Sequence, residues 1–131
     1  MKKHTLVNPY SDEVALLSDC TEAHFVSFIR KNYPAYRGIV SPPSDGRSEN
    51  PVKNGVTHFY LWINPNNTKA GKRLTVIHET GHLVVGLFYD VGIPITGNKD
   101  YESENPPKAV DEAFTYLQES FCKQIFRILK L

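Results

Sequence analysis

One short segment of the chain has the residue types and spacing of a metal-dependent hydrolase. His78 and His82 are four positions apart, and Glu79 directly follows the first histidine. Residues four apart project from the same face of a helix, so both imidazoles can reach a single ion. Glu79 is rotated by about 100° from His78, which places its carboxylate beside the ion as a general base and not as a ligand. The pattern predicts a catalytic zinc site.

The residues around this motif favour the same interpretation. The segment LTVIHETGHLVVGLFY is strongly apolar and has the composition of a buried helix. Two imidazoles and a carboxylate are costly to bury there unless a partner compensates, and a metal ion would do so. The alternative is that His78 and His82 are hydrogen-bonded core histidines and that Glu79 is an exposed carboxylate. We expect the metal site.

The third protein ligand of such a site has to be a carboxylate, because no histidine follows His82. Asp90 lies about 12 Å further along the same helix and cannot reach the ion. Three further acids, Asp100, Glu102 and Glu104, stand among polar residues, where we expect them to be solvated. Asp111, Glu112 and Glu119 remain, the first two near the start of a later predicted helix. We favour Glu112, which has Tyr116 one turn later on the same face, although acids near a helix start also oppose the helix dipole.

Several elements must position this motif. Glu13 to Ser18 is predicted to be a strand. The next segment, TEAHFVSFIRKNY at residues 21–33, is predicted to be a helix that ends before Pro34. Its cap would be Ser18, Asp19 or Thr21. Ser41 to Gly55 has loop composition. Val56 to Ile63 is dense in β-branched and aromatic residues, which predicts a strand.

Two longer helices follow in the prediction. The first runs from Lys72 to Tyr89, is capped by Asn67 or Thr68, and ends near Gly92 and Pro94. After a loop from Gly92 to Glu104, the second begins at Asn105-Pro106-Pro107 and continues to Leu131. Its apolar residues recur at three- and four-residue steps and predict one core-facing stripe: Val110, Phe114, Leu117, Phe121, Ile125 and Ile128.

Composition limits the class of protein. The 131 residues and 14.9 kDa fit one domain, residues 1–131. Fifteen basic against 14 acidic residues give a net charge of +1, which argues against a nucleic-acid or membrane partner. Cys20 and Cys122 match neither a metal pair nor a disulfide framework, and we expect both to be buried or half-buried. No export signal or membrane span is recognisable, so we expect a soluble cytoplasmic protein.

With HETGH in an apolar helix and DEAFTYL some thirty residues later, the chain resembles the gluzincin-type metallopeptidases. It is most similar to the short HExxH proteins encoded by tailed phages and mobile elements, and more distantly to ImmA/IrrE-type peptidases, where Phe114 and Thr115 would be replaced by an Asn-rich segment. The resemblance covers Val56 to about Phe121. It implies an α+β, zincin-like fold in which a small, mostly antiparallel sheet packs on the active-site helix and a long C-terminal helix.

The resemblance also implies a ligand set and an activity. Zinc would be bound by His78, His82 and Glu112, with Glu79 as base, and the reaction would be hydrolysis of a peptide bond in a peptide or protein, in the host cytoplasm if the gene is phage-borne. Tyr116 and His58 are candidate helpers at the oxyanion, although a packed aromatic ring and a surface imidazole explain them equally.

Two alternatives to the peptidase stay open. One is a catalytically silent zincin-fold module that binds a host or phage protein, and the other is a hydrolase of non-peptide amides. For the peptidase, the strand Thr57 to Ile63 at a sheet edge would pair with an extended substrate, while Phe59, Leu61 and Ile63 would form a core face.

Overall fold

The computed structural model describes residues 1–39, 44–93 and 108–131, with side chains from residue 111 onward in the last range. Several predictions therefore lie outside the described residues. They are the helix end near Pro94, the helix start at Asn105 to Pro107, the side chain of Val110, and the solvated acids Asp100, Glu102 and Glu104. Within the described part of the chain there are three helices and six strands. This confirms the predicted α+β class.

The strands form one mixed sheet and one small hairpin. They are β1 (Lys2–Thr5), β2 (Val14–Ser18), β3 (Gly46–Glu49), β4 (Val52–Lys53), β5 (Val56–Thr57) and β6 (Phe59–Ile63). The four-stranded sheet has the order β1-β2-β6-β3. β1–β2 and β3–β6 are antiparallel and β2–β6 is parallel, so two of the three pairings agree with a mostly antiparallel sheet. Strands β4 and β5 pair through Asn54 and Gly55, both with positive φ, which is the backbone of a tight hairpin turn.

Two strand predictions need correction. The prediction of a continuous loop from Ser41 to Gly55 is wrong over β3 and β4. Gly46–Glu49 pairs with β6 despite its polar composition, and Val52–Lys53 pairs with β5. Val56 to Ile63 is two strands and not one. The chain leaves the first ladder at His58, whose N–H donates to the Pro51 carbonyl, and then enters the main sheet. β1 was not predicted at all.

The three helices lie close to their predicted positions. α1 spans Glu22–Asn32, and the Thr21 side chain caps it by accepting from the His24 N–H. α2 spans Lys69–Asp90, three residues earlier than predicted, with Thr68 as its cap. It is followed by Gly92 with φ of 77°, a conformation that glycine adopts readily. α3 spans Lys108–Leu129. None of these described helices has the length and apolar character of a membrane span.

Helices cover the sheet on both faces. On one face Phe59, Leu61 and Ile63 of β6 pack against α2 and α3, which confirms the predicted core face. On the other face Tyr60 and Trp62 pack against α1. The described members of the predicted α3 stripe all join the first cluster: Phe114, Leu117, Phe121, Ile125 and Ile128. The position of α2 under β6 and β3 decides where the histidine motif lies.

Candidate metal centre

The two motif histidines are arranged as a pair on one face of α2. Their Nε2 atoms are 3.1 Å apart, and the ring centroids are 4.7 Å apart at an interplanar angle of 83°. Two nitrogen ligands at about 2.0–2.1 Å from a tetrahedral zinc ion would be separated by about 3.3 Å. Both imidazoles are solvent-exposed. The observed 3.1 Å is close to that separation, and it is also a hydrogen-bonding distance between the two rings.

Glu79 is the buried member of the motif, with 7% of its surface exposed. Burial raises the pKa of its carboxyl, while positive charge on His82 and His78 acts in the opposite direction. The burial expected in the alternative is the reverse of the observed one, whereas its hydrogen-bonded histidines agree with the contact between His78 and His82. The imidazoles face solvent and the carboxylate faces the protein.

Glu79 has room to approach the sheet because residue 46 is glycine. A Cβ atom added to Gly46 would lie 2.5 Å from Thr75 Cγ2 and 3.0 Å from Glu79 Cγ. The first of these contacts is too short for a real Cβ, so a larger residue at position 46 would displace the Thr75 side chain or move β3 away from α2. Close packing of strand and helix is thus a condition for the position of Glu79.

A groove runs between β3 and α2 and contains the motif. One part, of about 560 Å³, is lined by Asn50, Glu79, His82 and Val85 among others. A second part, of about 380 Å³, has His78 and Glu79 in its lining, along with Leu74. Glu79 lines both parts, and each histidine lines one. An extended ligand in the groove would therefore pass all three motif side chains.

A buried polar cluster holds β3 in place. Arg47, with 9% exposed, lies 3.1 Å from Glu22 Oε2 and 3.6 Å from Glu49 Oε1. Tyr36 donates a hydrogen bond of 2.6 Å to Glu49 Oε2. Ser44, at the start of the same segment, donates from both its N–H and its hydroxyl to Glu22 Oε2. These contacts connect the groove wall to α1, and we had not predicted them, because Gly46–Glu49 has loop composition.

Helix α3 lies antiparallel to α2 and contacts the motif through a residue that we had not predicted. Gln118 Nε2 donates to the Ile77 carbonyl at 2.9 Å. One turn later in α3, Cys122 Sγ lies 3.3 Å from Thr80 Oγ1. One turn earlier, the ring centroids of Phe114 and Phe88 are 5.8 Å apart. The position of Gln118 opposite the motif depends on the register of two distant helices, for which the local sequence contains no signal.

Among the described residues, Glu112 is not grouped with the two motif histidines. It is exposed and lies six residues before Gln118, about 9 Å along α3 toward the C-terminal end of α2, and about 120° around the helix. Asp111 is also exposed but lies on the Gln118 side of α3. Across the described ranges, no group of three or more histidine, cysteine or acidic side chains could hold a metal ion. The third ligand stays a prediction.

The two candidate helpers lie elsewhere. Tyr116 is 69% exposed and shares a face of α3 with Glu112. His58 is on the α1 face of the sheet, opposite α2, where Nδ1 lies 3.1 Å from Glu13 Oε2 and the ring lies 5.4 Å from that of Tyr33. Neither side chain lines the described parts of the groove.

Three further predictions can be compared with the structure. Asp90 accepts a hydrogen bond of 2.7 Å from Thr57 Oγ1 at the far end of α2, in agreement with its exclusion as a ligand. Cys20 is buried and Cys122 half-buried, as predicted. The peptide-binding role considered for Thr57 to Ile63 requires a sheet edge, and β6 is not one, because it pairs with β2 on one side and with β3 on the other. The edge strand beside α2 is β3.

Comparisons with models of protein families, with curated proteins and with solved structures found no match to this chain.

Proposed function

We propose that the protein is a zinc-dependent peptidase whose catalytic residues lie in the groove between β3 and α2. The observation that carries this proposal is the His78–His82 pair, with Nε2 atoms 3.1 Å apart, next to the buried carboxylate of Glu79 in one groove. A structural histidine pair would need no carboxylate beside it. A hydrolytic site needs both ligands and a base.

The donors present suit zinc, which binds imidazole nitrogen and carboxylate oxygen. His78 and His82 would hold the ion, and the third ligand is open between Glu112, which the resemblance implies, and Asp111. When bound, zinc polarises the substrate carbonyl and lowers the pKa of water to about 7. Both imidazoles are exposed and line the groove, so an ion that they hold would be open to a substrate there.

Glu79 would act as the proton carrier. Its carboxylate accepts a proton from the attacking water as the oxygen bonds to the peptide carbon, and it then donates that proton to the leaving nitrogen when the C–N bond breaks. Burial favours this role, because it raises the pKa of the carboxyl toward the range in which a group can both accept and release a proton.

The substrate would be an extended peptide. One edge of β3 is paired with β6, and the other has no strand partner among the described residues. An added strand could form main-chain hydrogen bonds with this edge while its side chains enter the groove. This replaces the role that we had assigned to Thr57 to Ile63.

Hydrolysis of a peptide library, followed by mass spectrometry, tests the proposal. We expect cleavage by the zinc-loaded protein and a loss of at least about a hundredfold in Glu79→Gln, which removes the proton carrier. Glu119→Gln is the matched control, because Glu119 makes only an exposed pair with Lys123 on α3. A wild-type protein that binds zinc but cleaves no peptide would contradict the proposal and favour the silent binding module.

A further inference from the structure

A second cavity, separate from the groove, lies where the parallel strands β2 and β6 end. It has a volume of about 280 Å³, at the lower end of the range for small-molecule sites. Its lining includes Ser18 at the end of β2, Ile63 at the end of β6 and Lys72 in the first turn of α2. Lys72 precedes His78 by six residues, or about 9 Å along the helix, and the cavity shares no lining residue with either part of the groove.

The polar part of the cavity is cationic. Three lysines from β1, from α2 and from the residue after α3 line it: Lys2, Lys72 and Lys130. Only Lys2 is compensated, by Asp19, with Nζ and Oδ2 3.2 Å apart. Lys72 and Lys130 form no ion pair with any acidic side chain in the part of the chain that the structure describes. Three ammonium groups against one carboxylate leave an excess of positive charge around a space that can hold a ligand.

Another part of the lining is aliphatic. Ile63 is buried, and Ile128 and Leu129 at the end of α3 pack against the same core cluster. On the polar side His4 Nε2 and Ser18 Oγ, 2.8 Å apart, add hydrogen-bonding groups. A cavity with cations on one side and aliphatic side chains on the other matches a ligand with an anionic head and a short hydrocarbon body.

We propose that this cavity binds a small amphipathic anion. Its phosphate or carboxylate group would contact Lys72 and Lys130, and its hydrocarbon portion would lie against Ile63 and Ile128. The two uncompensated lysines supply charge-assisted hydrogen bonds to the head group, and the apolar wall distinguishes such a ligand from a simple inorganic ion. This site is independent of the peptidase proposal, because it uses none of the same side chains.

Isothermal titration calorimetry of the full chain with three probes tests this site: phenyl phosphate, benzoate and inorganic phosphate. We expect phenyl phosphate or benzoate to bind at least about tenfold more tightly than inorganic phosphate, because only these probes bury a ring. The tighter of the two identifies the head group as phosphate or carboxylate. Absence of binding by both aromatic probes, or equal affinity for inorganic phosphate, would overturn the proposal.

Two double variants that remove the same number of positive charges distinguish binding in the cavity from nonspecific attraction of an anion to the protein surface. Lys72→Gln with Lys130→Gln should weaken binding of the aromatic anion by about tenfold or more. Lys31→Gln with Lys123→Gln removes the same charge from exposed positions outside the cavity and should leave affinity within about twofold. Equal losses in the two double variants would contradict the site.

Amide NMR of the unmodified protein gives a readout that needs no variant. Addition of phenyl phosphate or benzoate should shift the N–H signals of Ser18, Asp19 and Cys20 together with those of Leu129 and Lys130, because these residues line the cavity. Shifts confined to other parts of the chain would show binding elsewhere and overturn the proposal.

Discussion

Glu79 packs against β3 at Gly46, which has no side chain. The 2.5 Å and 3.0 Å contacts that a Cβ would make involve Thr75 and Glu79 themselves. Gly81, in the middle of the same motif, differs, because a Cβ there would lie 3.5 Å from Gln118 Nε2, which is an ordinary contact. A side chain at position 46 should therefore disturb the packing, whereas one at position 81 should fit.

A pair of alanine substitutions tests this contrast. Gly46→Ala should lower the free energy of unfolding by about 1–3 kcal/mol through overpacking. Gly81→Ala should leave it unchanged or raise it by up to about 1 kcal/mol, because alanine favours a helix interior over glycine. Urea unfolding of both variants measures the difference, and equal stability of the two would contradict the packing of β3 on α2.

The carboxyl of Glu22 makes the stability of the fold depend on pH. Burial alone would raise the pKa of its carboxyl, but hydrogen bonds from Ser44 and the charge of Arg47 outweigh burial, and the net pKa is lowered from its ordinary 4.5. A group whose pKa is lower in the folded state stabilises the fold above the unfolded pKa. That stabilisation is lost as the pH falls below about 4.5 and through the folded pKa.

Unfolding in urea at pH 7 and at pH 3.5 measures this effect. Glu22→Gln should reduce stability at pH 7 by about 1–2 kcal/mol and should lose less stability than the wild type on acidification. Glu119→Gln, at an exposed ion pair, should follow the wild type in both conditions. The same acid-induced loss in Glu22→Gln and the wild type would exclude this role for Glu22.

At the scale of elements, β3 forms the groove wall and is fixed through Arg47 and Glu49. Removal of one buried charged partner leaves the other uncompensated, so Arg47→Met should cost about 3 kcal/mol. Arg47→Met combined with Glu49→Gln should cost less than the sum of the single changes, because the two side chains interact. A double-mutant cycle by urea unfolding measures the coupling, and additive effects would show that the pair does not act as a unit.

The start of α3 is where the third zinc ligand is predicted. Zinc content of Glu112→Gln and Asp111→Asn distinguishes the two acids, and we expect one of these variants to lose the metal. Gln118 faces α2 and Asp111 lies on its side of α3, whereas Glu112 belongs to the face that carries Tyr116. Full zinc binding by both variants would place the third ligand elsewhere in the chain.

The helices were predictable and the sheet was only partly so, for a physical reason. Helix signals such as the Thr21 and Thr68 caps and the α3 stripe are local. Whether β6 is central or at an edge depends on β3, a polar strand whose partner lies ten or more residues away. The same holds for the site, because His78, Glu79 and His82 are neighbours on one helix, while Gly46, Arg47 and Gln118 reach it through tertiary structure.

The two faces of the main sheet have different roles in the molecule. The α2 and α3 face carries the histidine motif and the larger core cluster, while the α1 face stabilises β3 through Arg47, Glu49 and Glu22. The cationic cavity lies at the ends of β2 and β6, next to the first turn of α2. A chain of 131 residues thus combines a candidate catalytic groove with a separate ligand cavity around one helix.

Zinc content, measured by elemental analysis of the purified protein after zinc loading and desalting, tests the proposed metal site. We expect about one zinc ion per chain in the wild type and in Glu79→Gln, because Glu79 is proposed as a base and not as a ligand. We expect loss of zinc in His78→Ala. Equal zinc content in the wild type and in His78→Ala would contradict the assignment of the metal site.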